Sequence, residues 1–195
     1  MKNAMKIMAV GVVLALTSGA VYAAEKPAKK KHQTKLDLYL SAKEVPEFIE
    51  KNKDKVVFID VRTPAEIEYV GHTNMMDKNV PLHFKDFSKW NEKKKRYADE
   101  PFNDNFEKDV EEVVKKKGLT KEDAKVILMC RSGSRSAYAT NLLADQGFKQ
   151  VYTVIDGFEG GKDKKTGHRT KNGWKNAGNP WTYKNIKEKM YFEKK

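Results

Sequence analysis

Cys130 is the residue with the clearest potential for chemistry, and it is the only cysteine in the 195-residue chain. It follows the apolar run at residues 126–129, which is typical of a buried parallel strand, and the pattern becomes helical from Ser136. The loop at the carboxyl end of such a strand is where open α/β sheets bind ligands. Backbone N–H groups at the start of a helix lack intrahelical acceptors and favour a thiolate over a thiol. The pattern therefore predicts a nucleophile; the alternative is a core cysteine that ends a strand.

The loop after Cys130 is rich in groups that bind anions. Its residues are Arg131, Ser132, Gly133, Ser134 and Arg135. Gly133 permits a tight turn in which successive N–H groups converge on one point. The two arginines add positive charge beside the cysteine. We therefore expect these five residues to bind an anionic substrate.

Two segments of the chain resemble the rhodanese (sulfurtransferase) family. The loop Cys130 to Arg135, read as CRSGSR, is similar to the active-site loop of that family. The segment DVRTPAE, which begins at Asp60 and leads to Gly71-His72, resembles the second signature of the family. The resemblance implies a cysteine that accepts a sulfane sulfur as a persulfide and passes it to a thiophilic acceptor. Related dual-specificity phosphatases carry one more residue between the cysteine and the arginine.

The second segment supplies supporting residues rather than reacting ones. The resemblance extends to Asp60 and Arg62, which we expect to form a structural ion pair that fixes the loop beneath the cysteine. His72 is expected to be a satisfied histidine at a helix end rather than a base. The turn at residues 156–161, rich in glycine, resembles the turn that faces the catalytic loop in rhodaneses.

The first 23 residues have the pattern of a secretory signal peptide. Lys2 and Lys6 precede an apolar run at residues 7–16, and small residues lead to a cleavage site after Ala23. A transmembrane anchor is the alternative, but the apolar run is short for a span. Cleavage removes the two lysines and no acidic residue, so the net charge falls from +12 to +10. We expect a periplasmic protein without stable membrane insertion, in which one cysteine cannot form an internal disulfide and is either buried and inert or kept for chemistry.

The rest of the chain predicts one α/β domain with an open parallel sheet and helices on both faces. We expect a mobile basic leader at residues 24–40, the rhodanese-like domain at 41–185 and a basic tail at 186–195. Helices are predicted to begin with caps at Ser41 and Thr63. The insertion at 83–100 is predicted to be a functional loop or a helical piece, and its charge run Lys93–Arg96 to be a solvated face, with a binding role as the alternative. No role is assigned to the insertion at 162–173.

These features favour a periplasmic sulfurtransferase that uses a small anionic donor such as thiosulfate and a thiol or protein acceptor. One alternative is a cysteine phosphatase or an arsenate reductase on the same scaffold. Another is a binding or sulfur-relay module with a dedicated protein partner. No cofactor or metal is expected, because the four histidines are scattered. Nucleic-acid binding is not expected despite the basic charge, because the chain carries an export signal and no recognition motif.

Overall fold

The computed structural model describes residues 24–99 and 101–193, so the predicted signal peptide lies outside the described residues. Within these ranges the strands are β1 (Tyr39–Leu40), β2 (Val56–Asp60), β3 (Lys78–Asn79), β4 (Asp86–Asn91), β5 (Arg96–Ala98), β6 (Lys125–Met129) and β7 (Gln150–Val154). The α-helices are α1 (Val45–Asn52), α2 (Pro64–Val70), α3 (Phe106–Lys116) and α4 (Ser134–Asp145).

The main sheet is parallel throughout, with the strand order β1-β7-β6-β2-β3. Its central strands β2 and β6 are apolar on both faces and buried, as parallel strands covered by helices must be. In their register Asp60 lies opposite Met129. The segments that follow these two residues therefore leave the sheet at the same edge, where ligands bind in open α/β folds.

Helices cover both faces of the sheet. Val110 of α3 and Leu143 of α4 belong to the core on one face. Val45 and Phe48 of α1 pack with Trp174 in the core on the other face. The predicted fold class, a single α/β domain with a parallel sheet between helices, is confirmed.

The two predicted helix caps have different outcomes. Thr63 caps α2 in a complete capping box, because its side chain accepts from the backbone N–H of Glu66 and the Glu66 carboxylate accepts from the backbone N–H of Thr63. The predicted cap at Ser41 is wrong, since α1 begins at Val45 with Glu44 as its N-cap. The N–H and hydroxyl groups of Ser41 both donate to the Glu44 carboxylate at 2.7 Å, which fixes a turn before the helix instead.

Residues 24–40 were predicted to be a mobile leader, but in the structure they pack on the domain. Tyr39 and Leu40 are buried and pair with Thr153 and Val154 of β7 as the edge strand β1. Upstream of them, the backbone N–H of Lys35 donates to a side-chain oxygen of α4 at 2.8 Å. These two residues bury their side chains on the open edge of β7. They thereby attach residues 24–40 to the domain, although the composition of this segment is otherwise typical of a loop.

The tail predicted at residues 186–195 also packs on the domain, as far as it is described. Lys189 donates to the carbonyl oxygens of Asn74 and Met76, and Met190 packs against the core that contains Trp174.

The main feature of the insertion at 83–100, as far as it is described, is the antiparallel hairpin of β4 and β5. The predicted loop or helical piece is therefore wrong. None of the helices in the described part of the chain is both long and apolar enough to cross a membrane.

Candidate active site

Cys130 follows β6 directly and is only 1% exposed. The backbone N–H of Gly133 donates to the Cys130 sulfur at 3.1 Å, and the hydroxyl of Ser136 lies 3.5 Å from it. Gly133 has a φ of +94°, a conformation that glycine adopts without the penalty a Cβ would bring. Thr153 donates to the Ser136 hydroxyl at 2.8 Å and so orients it. The loop thus turns back on the sulfur, and α4 begins at Ser134, earlier than the start at Ser136 that the pattern predicts.

The glycine turn after β7 lies against the backbone of the cysteine loop. A Cβ on Gly157, which has a φ of +65°, would lie 2.4 Å from the carbonyl oxygen of Cys130. The next residue, Phe158, donates its backbone N–H to that carbonyl at 2.8 Å. Only glycine fits this approach, because the contact is with backbone that cannot move away. The turn therefore faces the loop as expected and fixes the position of the residue that carries the thiol.

Asp60 and Arg62 form an ion pair at 2.7 Å in which both side chains are fully buried. The Arg62 guanidinium also donates to the carbonyl of Gly71 at 2.9 Å and lies 3.9 Å from the centre of the Phe158 ring. The pair therefore ties the end of β2 and the end of α2 to the turn behind Cys130. This geometry agrees with the supporting role expected for both residues and not with direct contact to a substrate.

Arg135 is held by a carboxylate that the sequence analysis did not identify. Its guanidinium makes two hydrogen bonds to Glu66, at 2.6 and 2.7 Å, across 69 residues of chain. Burial favours the protonated carboxyl, but the hydrogen bonds and charge of Arg135 outweigh it and lower the pKa of Glu66 to about 2. Burial also opposes the charged arginine, and Glu66 outweighs that effect and raises the pKa of Arg135. The two charges are thus fixed and balanced at the site.

A cavity of about 430 Å³ opens over the cysteine. Five of its lining residues come from the predicted loop and its nucleophile: Cys130, Arg131, Ser132, Ser134 and Arg135. Gly133 is the one predicted loop residue that does not line the cavity, and it acts instead through its N–H on the sulfur. Arg131 makes no ion pair with any described residue, and its Nε is buried without a hydrogen-bond partner among them. Its positive charge is therefore available to an anion.

The cavity has a second set of lining residues that sequence reasoning missed. They belong to the hairpin and its flanks: His83, Lys85, Lys94, Arg96, Tyr97 and Asp99. Burial and the nearby charge of Arg135 lower the pKa of His83, which favours the neutral imidazole. The charge run at residues 93–96, which was predicted to be a solvated face, thus contributes two cations, Lys94 and Arg96, to the site. The available signal was the mixture of aromatic and basic residues in an insertion of unusual length.

His72 has an environment unlike the one expected. It is fully buried beside Thr182, with which it forms two backbone hydrogen bonds. Neither ring nitrogen has a hydrogen-bond partner among the described residues. His72 does lie at a helix end, directly after the C-cap of α2, but the prediction that its side chain is satisfied is wrong. Within the same residues, no group of three or more His, Cys, Asp or Glu side chains could hold a metal ion.

Together, a parallel α/β domain and a cysteine loop that curls around its own sulfur define a class of cysteine-dependent domains. The model of the rhodanese-like domain matches residues 41–164, and the chain belongs to this family. Membership supports a role related to sulfur transfer.

The chain is also similar to individual proteins from several bacteria. The uncharacterized RP600 homologue of Rickettsia rickettsii is 32% identical over 132 residues, which are 68% of this chain and 87% of that protein. The uncharacterized RP600 of Rickettsia prowazekii is 31% identical over 125 residues, 64% of this chain and 81% of that one. The crystal structure of Rv0390 from M. tuberculosis is 27% identical and superimposes with a TM-score of 0.54, covering 75% of this chain and 97% of that chain.

Proposed function

We propose that this protein is a sulfurtransferase that carries a sulfane sulfur on Cys130. The observation that carries the proposal is the short loop itself, in which the Gly133 N–H donates to the Cys130 sulfur at 3.1 Å. A short loop that places a backbone N–H on the sulfur suits one sulfur atom added to the cysteine. Cations that line the cavity suit an anionic donor such as thiosulfate.

The reaction has two steps. The Cys130 thiolate attacks the outer sulfur of thiosulfate, a new S–S bond forms, and the electron pair of the old S–S bond leaves with sulfite. The acceptor, cyanide in an assay or a thiolate in the cell, then attacks the outer sulfur of the persulfide and regenerates the thiolate. The loop N–H groups stabilise the negative charge on sulfur in both steps. Neither step needs a metal or a redox cofactor.

We further propose that the reaction takes place in the periplasm. The support for this location is the n-region, the apolar run and the small-residue cleavage site within residues 1–23. A periplasmic thiol or a protein that exposes one is then the acceptor. Amino-terminal sequencing of the exported protein tests the location, and the expected first residue is Ala24.

The activity is tested by transfer of sulfur from thiosulfate to cyanide. The wild type should form thiocyanate, and the nearly isosteric variant Cys130→Ser should form none, because a serine hydroxyl cannot carry a persulfide. The same preparations are assayed with an aryl phosphate. Hydrolysis of the phosphate by the wild type without thiocyanate formation would replace the sulfurtransferase by a cysteine phosphatase. Absence of both activities would favour a binding module.

A further inference from the structure

The hairpin of β4 and β5 places an excess of positive charge at the cavity. Asp99 is its acceptor: Lys85 lies 2.5 Å from one carboxylate oxygen, while Arg96 and Lys94 approach the other. Three cations therefore share one carboxylate. Asp99 and Lys85 are 21% exposed and Arg96 is 34% exposed, so water screens these three charges only in part, whereas Lys94 is 57% exposed and more strongly screened.

The other residues that line the cavity do not neutralise the positive charge of the hairpin. Glu66, the other carboxylate that lines it, already binds Arg135 through both of its oxygens. Burial and Arg135 lower the pKa of His83, which favours its neutral form, so His83 is not counted among the cations. Arg131 adds a further cation without an ion-pair partner among the described residues. Counted over its lining residues, five cations face two carboxylates and, in the reactive form, the Cys130 thiolate, which leaves the cavity with a charge of about +2.

Spare hydrogen-bond donors accompany this charge. The Nε atoms of Arg96 and Arg131 are both buried and have no hydrogen-bond partner among the described residues. Leaving a buried charged donor unpaired is costly, and an anion beside these two guanidinium groups would offset part of that cost through their charge. The cavity volume of about 430 Å³ is within the range of small-molecule sites. It is larger than a five-atom anion such as thiosulfate.

We propose that Lys85, Lys94 and Arg96 form a second oxyanion-binding subsite, which the hairpin adds to the cysteine loop. It binds the sulfonate end of the donor while the outer sulfur faces Cys130, and it stabilises the sulfite dianion when the S–S bond breaks. The subsite selects donors that release a divalent oxyanion over uncharged sulfane donors. This assignment of the ligand depends on the proposed function, whereas anion binding by the hairpin does not.

The test compares two double variants of the same hairpin. Lys94→Gln with Arg96→Gln removes two charges from the subsite and leaves Asp99 paired with Lys85. Lys93→Gln with Lys95→Gln removes the same charge from neighbouring residues that do not line the cavity. The first measurement is kcat/KM for thiosulfate. We expect a loss of about 10- to 100-fold in the subsite variant, corresponding to one or two charge-assisted hydrogen bonds, and less than twofold in the control.

The second measurement does not depend on sulfur transfer. Cys130 is alkylated with anionic iodoacetate and with neutral iodoacetamide. The quantity compared between variants is the rate constant for iodoacetate divided by the rate constant for iodoacetamide. Any change in folding or in the reactivity of the thiol affects both reagents and cancels in the ratio. The ratio should fall at least fivefold in the subsite variant and less than twofold in the control.

Equal ratios in both variants would overturn the subsite. An equal loss of kcat/KM in both would do the same, because it would reflect the overall charge of the protein alone. If the wild type transfers no sulfur but the ratio falls only in the subsite variant, the anion subsite stands and the sulfurtransferase proposal fails.

Discussion

Two carboxylates at the cavity bind arginine, but they differ in the number of cations with which they form ion pairs. Glu66 forms one bidentate ion pair with Arg135 and accepts from the N–H and hydroxyl groups of Thr63. Asp99 is shared among Lys85, Lys94 and Arg96. The first arrangement is balanced and fixed by a helix cap. The second has an excess of charge and lies on a hairpin joined to the domain at its two ends. The comparison indicates that the Glu66 side positions the cysteine loop, and that the hairpin side binds what enters.

The balanced side continues into the interior. Asp60 and Arg62 lie behind the loop with no exposed surface, and Arg62 reaches both α2 and the ring of Phe158. A buried ion pair adds little net stability over an apolar pair, but the loss of one partner leaves an uncompensated charge in the interior. The pair is therefore expected to be far more sensitive to substitution than the hairpin.

The largest effect is expected at this buried pair. Asp60→Asn keeps the size of the side chain and leaves the Arg62 guanidinium buried without a carboxylate, which should lower the free energy of unfolding by about 3–5 kcal/mol. The control is Asp145→Asn, which breaks the ion pair with Lys35, where both side chains are 57% exposed. Its expected cost is below about 1 kcal/mol. Urea denaturation measures both, and similar small losses would contradict a structural role for Asp60.

The next effect concerns Glu66 and depends on pH. Its pKa is lowered from 4.5 to about 2 in the folded protein, so it stabilises the fold fully above about pH 4.5 and loses that contribution as the pH falls toward 2. The shift corresponds to about 3 kcal/mol. The difference in unfolding free energy between the wild type and Glu66→Gln should have this size at pH 6 and should shrink steadily toward pH 2. A difference that does not change with pH would show that the ion pair with Arg135 contributes nothing.

A smaller effect, and one on donor use rather than folding, is expected at Arg131. Arg131→Gln removes a cation that no described carboxylate neutralises, so kcat/KM for thiosulfate should fall by about 10- to 100-fold. The free energy of unfolding should change by less than about 0.5 kcal/mol. Arg135→Gln is the contrasting variant, because it also strands the Glu66 carboxylate and should lower stability as well. Equal stability losses in both variants would remove the distinction between the two arginines.

The sequence predicts the balanced side of the site much better than the hairpin. Thr63 and Glu66 stand three residues apart before an apolar helical pattern, so their capping box is a local signal. The pairing of Glu66 with Arg135 is not visible in a local pattern, because 69 residues separate them and only the adjacent ends of β2 and β6 bring them together. Gly157 was predictable as a close approach, since its function depends only on the absence of a side chain.

The hairpin is difficult to predict for a physical reason. Most residues of β4 are exposed, and the exposed aromatic side chains Phe87 and Trp90 pack on Tyr97 of the partner strand rather than on the core. The alternation that marks a half-buried strand is therefore absent. The opposite case is β1, where two buried residues, Tyr39 and Leu40, are too few to produce a pattern but enough to pair with an open sheet edge.

The most direct test of the account is the mass of the intact protein before and after incubation with thiosulfate. The wild type should gain the mass of one sulfur atom, and subsequent treatment with cyanide should remove it as thiocyanate. Cys130→Ser should keep its original mass throughout. A wild type that gains no sulfur, or a Cys130→Ser variant that gains as much as the wild type, would contradict the assignment of Cys130 as the sulfur carrier.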